Sequence, residues 1–193
     1  MAAALGCGAA PRTAAAGFYY EDAPLALPAS IAEQVGGPLT ARELASIQQT
    51  SRAEVERAFN GFNIRFTENR GAFWRVAVVR SLPGRGRPLP SAGESIAMGF
   101  MGGAGAVSFD LVSRKAVQYA PAGASRLTMI DGIGRGIGRV AAHEFAHQVL
   151  NTSLVHNAAD EASYEYPSPD RSAQYYGELH WTTARTLLAQ RLR

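Results

Sequence analysis

"VAAHEFAHQVLNTSLVH", residues 140–156, carries three of the chain's four histidines, with a glutamate directly after the first. His143 and His147 stand four apart, which on a helix stacks both imidazoles on one face, about 6 Å apart, where two nitrogens can meet one metal ion. Ala142, Phe145, Ala146, Val149 and Leu150 supply a core-facing side, so a helix is expected here. Glu144 lies about 100° further round, within reach of a water on the metal but not placed to be a ligand itself. The pattern is H-E-x-x-H, in which two histidines bind zinc and the glutamate serves as general base.

A catalytic zinc takes three protein ligands and keeps one position open. His156, nine residues after His147, is the leading third ligand. Asn151 between them tolerates a left-handed backbone, so the helix can end there and the chain turn back toward the metal. Asp160, Glu161, Glu165, Asp170 and Glu178 compete for the place, since two histidines and a carboxylate also make a sound zinc set.

Working outward, "DGIGRGIGR" (131–139) has its glycines at 132, 134, 136 and 138, which fit no nucleotide-binding pattern. It reads as a flexible lead that lets the helix, expected from about Ile133 to Leu150, pack closely. Beyond the site, a C-terminal helix is expected over 172–192, capped by Ser172, with Tyr176, Leu179, Thr183, Leu187 and Leu188 as its stripe and His180 as a core or supporting residue. Upstream, four strands are expected at 63–68, 73–80, 94–101 and 106–112. Before them Thr40 and Glu43 form a capping box for a helix with Leu44, Ile47, Val55 and Phe59 on its buried stripe, ended by Gly61. Strands grouped between helices favour an α+β layer over a doubly wound sheet. Residues 1–38, rich in Ala, Pro and Gly, read as a flexible tail, leaving 39–193 as the folded domain.

"HEFAH…H" followed by "NAADEASYEYP" resembles the metzincin clan of zinc endopeptidases, and within it the matrixin-like branch, where H-E-x-x-H-x-x-G-x-x-H precedes a tight turn containing Met. The order of elements resembles the clan over about residues 38–192; the match in sequence covers 140–167. Here the spacer to the third histidine is three residues longer and lacks the glycine, and no methionine follows His156, so Tyr164 or Glu165 stands in its place. The resemblance implies a zincin-like fold with an N-terminal helix, a twisted, mostly antiparallel-edged sheet of four or five strands, an active-site helix, an irregular turn and a C-terminal helix. It implies Zn2+ on His143, His147 and His156, Glu144 as catalytic base, and a peptide or protein substrate. It also suggests Tyr166, with Tyr164 behind it, as a turn tyrosine that ligates zinc or donates to an oxyanion; packing beneath the metal is the plainer role. "AVSFDLV" is the candidate sheet edge along which a peptide would lie.

With 193 residues and 18% charged residues, the chain is long enough to bury one ordinary core. A net charge of +3, spread along the chain, is too weak a field to indicate nucleic acid, and "PGRGRP" (83–88) reads as a loop rather than a minor-groove segment. One cysteine, Cys7, excludes an internal disulfide. "ALGC" resembles the end of a lipoprotein signal, so export to the cell envelope, with a lipid anchor at Cys7, is expected despite the missing basic and apolar regions; no apolar run is long enough to span a membrane. A monomer is expected. The alternative to a peptidase is a zinc-binding domain that docks a protein partner without cutting it.

Overall fold

The computed structural model describes residues 13–21, 24–82, 91–152 and 155–193. Among them, six helices flank one five-stranded sheet, a mixed α/β architecture. None of these helices is long and apolar enough to cross a membrane. Cys7 and the 83–88 loop lie outside the described residues.

Strand β1 (Ala14–Tyr20) falls within the segment expected to be a tail. It lies inside the sheet, parallel to β2 (Ile64–Thr67) on one side and β3 (Trp74–Val79) on the other. "AAAGFYY" hides its nature because an interior parallel strand is covered on both faces and need not alternate. Gly17 is required there: a methyl group on it would lie 2.2 Å from the carbonyl oxygen of Asn69. Helix α1 (Ala29–Gln34) follows and buries Ile31, so the folded unit begins well before residue 39.

Helix α2 (Ala41–Ala58) starts as its sequence promises. Thr40 accepts from the Glu43 N–H while the Glu43 carboxylate accepts from the Thr40 N–H, and Ile47, Val55 and Phe59 are buried. Strands β2 and β3 sit inside the expected ranges. Strand β4 (Gly93–Ala97) is followed by a 3-10 turn (Gly99–Met101) and by β5 (Gly103–Ser108). The expected strand at 106–112 divides there. Ser108 caps helix α3 (Phe109–Gln118) by accepting from Leu111 N–H, so "FDLV" is its first turn.

The strand order is β2-β1-β3-β5-β4. All pairings are parallel except that of β4 with β5, so the sheet is mostly parallel and, against the mostly antiparallel-edged sheet expected, only one of its edge strands is antiparallel. The edge strands are β2 and β4; β5 is interior, which removes it as the expected peptide-docking edge.

Helix α4 (Arg126–Leu150) is the spine of the molecule. It begins at Ser125, which caps Thr128, and the glycines thought to precede it lie within it. Methyl groups on Gly134 and Gly138 would meet α2 at Thr50 and Ser51, those on Gly132 and Gly136 the rings of Tyr176 and Tyr175. Each pair is spaced i, i+4, so one helix makes two close seams. At its far end Gln148 fills the space over Gly103 and Gly105 and bonds both the N–H and the C=O of Arg75, each at 3.1 Å. One turn before His143, fully buried Arg139 donates to Glu54 (2.9 Å) and to the carbonyls of Ala173 and Gly177. Breaking such a buried pair from one side typically costs about 3–5 kcal/mol.

The expected C-terminal helix is two pieces, α5 (Ala173–Tyr176) and α6 (Thr183–Arg191). Between them His180 bridges back to Ser163, exchanging backbone bonds with Ala162 and Tyr164. Leu188 is buried as expected, whereas Leu187 is exposed.

Candidate metal centre

Helix α4 ends where its sequence sets the stop: Asn151 adopts φ 52°, ψ 46°, the left-handed conformation. The chain turns back and brings His156 to the two helical histidines. Ring centroids of His143 and His156 lie 5.3 Å apart, and those of His147 and His156 5.1 Å. One nitrogen from each of the three lies within 4.8 Å of the others, so the trio could hold a metal ion.

The hydrogen bonds fix the ring chemistry. His143 Nδ1 is 2.7 Å from the carbonyl of Tyr164, and His147 Nδ1 is 2.8 Å from the carbonyl of Thr152. A carbonyl only accepts, so each Nδ1 carries the proton and each Nε2 presents a lone pair. Those two Nε2 atoms face each other at 3.0 Å. Burial first, then the neighbouring His147, holds the His143 pKa down to about 4, so at neutral pH no proton joins the two lone pairs. A cation between them satisfies both. The donor set fits a metal that favours imidazole nitrogen.

Glu144 follows His143 and is buried beside the same cleft. Its carboxylate lies against β4 where there is no side chain: a methyl group on Gly93 would sit 2.5 Å from Glu144 Oε1. Ser95 on the same strand donates to the Glu144 main-chain carbonyl at 3.3 Å. The cleft, about 840 Å³, runs between β4 and the 164–169 segment, with the three histidines and Glu144 along it.

The turn residues divide their roles. Tyr164 contributes its carbonyl to His143, while its ring packs on Trp181 at 4.9 Å. Tyr166 is half-buried and lines the cleft.

None of the competing carboxylates is brought into the histidine group. Glu165 is fully buried but caps α6, accepting from Thr182 N–H, Thr183 Oγ1 and Ala184 N–H. Burial raises its pKa, and these hydrogen bonds outweigh that and hold it below its ordinary value. Asp160 pairs with His180 at 2.9 Å, so His180 supports the turn from outside. Glu178 pairs with Arg57 and Arg135, Asp170 pairs with Lys115, and Glu161 is exposed.

The chain matches no family model, and no curated protein matches it. The site therefore speaks through its own geometry. Several contributors carried little signal in the sequence. Gly93 stands just before the expected strand at 94–101, where a glycine reads as part of the loop and not as a close approach. The carbonyls of Tyr164 and Thr152 had no mark either, because a main-chain acceptor is independent of residue type.

Proposed function

We propose that the protein is a metzincin-like zinc metalloendopeptidase in which His143, His147 and His156 hold the metal and Glu144 is the general base. One observation carries the reading: two imidazoles, each locked by a carbonyl, aim unprotonated Nε2 atoms at one point, with a buried carboxylate one residue along and an open cleft in front. The three-histidine set with an accessible side suits zinc as a catalytic rather than a closed structural metal.

Zinc bound there would supply Lewis acidity for a substrate carbonyl and bring a water's pKa toward about 7. The protein's part follows from its residues. Glu144, set against Gly93, takes the proton from the attacking water and delivers it to the departing amine. The outward backbone groups of β4 offer a peptide an added strand: Ala92 bonds Ser108 and Met98 bonds Gly102, so 95 and 97 alternate away from β5, while the Gly93 carbonyl already accepts from the Ser91 hydroxyl. The Tyr166 phenol, at the cleft wall, is available to donate to a developing oxyanion.

The test uses the purified protein with Glu144→Gln and His156→Ala variants. Glu144→Gln is expected to keep one zinc per chain and lose peptide hydrolysis by about 100-fold or more. His156→Ala is expected to lose zinc on dialysis against a weak chelator. Hydrolysis surviving in Glu144→Gln removes the mechanism. Zinc bound with no hydrolysis of any denatured protein leaves a partner-binding zinc domain instead.

A further inference from the structure

The turn beneath the histidines has no methionine and is organised by one buried guanidinium. Arg171 is 5% exposed. Its Nη1 donates to the carbonyl of Glu161, and its Nη2 donates to the carbonyl of Ser163 at 2.8 Å, so the two bonds bracket Ala162. Nη2 also reaches Gln174 Oε1 at 2.8 Å, and Gln174 lines the cleft. The guanidinium lies over the Tyr166 ring, 4.6 Å from its centroid. The next carbonyl after Ser163 is that of Tyr164, the acceptor that locks His143.

We propose that Arg171 is a positioning residue for the metal centre: it holds the 161–166 turn so that the Tyr164 carbonyl keeps His143 in its metal-ready tautomer and the Tyr166 ring stays at the cleft. The proposal rests on the three-histidine metal site of the reading above, though not on peptide hydrolysis. Arg171 is an expensive way to hold a turn. Burial lowers its pKa to about 10, which leaves it charged at neutral pH, and its Nε is buried with no hydrogen-bond partner among the described residues. A buried cation with an orphaned donor is poor for stability compared with an apolar residue of like volume. What it does supply is a planar fork that grips two carbonyls and stacks on an aromatic ring at once, a geometry a lysine cannot reproduce. Outer partners that orient a metal's histidines typically matter about 10–100-fold in metal affinity.

The experiment reads the metal rather than turnover. Wild type, Arg171→Lys, Arg171→Met and Lys115→Met are titrated with Co2+ against a chromogenic chelator, and the visible absorption of each Co2+ form is recorded. Lys115→Met removes the ion pair with Asp170, next to Arg171, and controls for general loosening of the segment. Both Arg171 variants are expected to bind Co2+ about 10–100-fold more weakly and to show an altered visible band. Lys115→Met is expected to match wild type. If Arg171→Met does not fold, Arg171→Lys, which keeps charge and length, carries the comparison, with folding checked by circular dichroism. A folded Arg171→Lys with wild-type affinity and spectrum overturns the proposal alone. Failure of wild type to take up Co2+ overturns the three-histidine site and the proposal together.

Discussion

Gly93 and Glu144 share one small volume. The strand residue gives up its side chain, and the carboxylate occupies the space. Alanine at 93 would put a carbon 2.5 Å from Glu144 Oε1 and 2.6 Å from Val140 Cγ1, so the carboxylate, at the end of a flexible side chain, must move. Displacing a catalytic group by about 1 Å can lower a rate about 100-fold. On the mechanism proposed above, Gly93→Ala is therefore expected to keep the bound metal and lose kcat to about that degree, read by peptide turnover beside metal analysis. Unchanged kcat would mean that Glu144 works from another position. At this scale the sequence was most readable where chemistry needs a particular side chain in a particular spacing. His143, His147 and His156 come within reach of one another where Asn151 turns the chain at the end of α4, and Glu144 lies along the same cleft. It was least readable where one residue type has several uses. Glu165 looked like a ligand and is a helix cap, because a carboxylate serves a metal and a set of N–H groups equally well.

Among the elements, α4 shows why local propensity can mislead. A glycine in a helix costs about 1 kcal/mol relative to alanine, and four in seven residues read as a flexible lead into the helix. They are helical because neighbouring elements come so close that no larger residue fits. A methyl group on Gly136 would lie 2.6 Å from two ring carbons of Tyr175, which is fully buried. Gly136→Ala is thus expected to destabilise the protein by about 1–3 kcal/mol through overpacking, despite alanine's better helix propensity. A lower urea midpoint with an unchanged slope is the signature. A raised midpoint would show that the seam has room to spare. Helix α2, by contrast, was legible at its start and along its stripe, since a capping box and buried spacing act within one element, though it stops at Ala58, short of the expected end at Gly61. Strand β1 was not, because its pairing depends on partners remote in sequence, and the division between β5 and α3 was hidden because Ser108 caps a helix in the middle of a continuous β-prone run.

Across the whole molecule, one arginine ties the start of α4 to the start of α2 and to the segment that joins α1 to it. Arg126 grips both oxygens of Glu43, at 2.6 and 2.9 Å, and donates to the carbonyls of Val35, Gly37 and Pro38. That guanidinium, and then the Thr40 N–H, holds the Glu43 pKa down to about 2 from an ordinary 4.5. A carboxylate whose folded pKa is depressed adds stability above its unfolded pKa and loses it as pH falls through the folded value. Wild type is therefore expected to melt above Glu43→Gln at neutral pH, the gap closing between about pH 4.5 and 2. Melting curves across that range check it, and a gap independent of pH would assign the effect to the helix cap alone. The sheet carries a different consequence. During synthesis β1 leaves the ribosome before either of the strands that will flank it, so it waits unpaired until β2 and β3 emerge. The centre of the sheet thus closes late, through contacts between distant parts of the chain, and such topologies assemble slowly. Until then a short stretch of alanine, glycine and aromatic residues remains open to pairing with other chains, so the same interior strand that organises the finished sheet is its exposure to misassembly before β2 and β3 arrive.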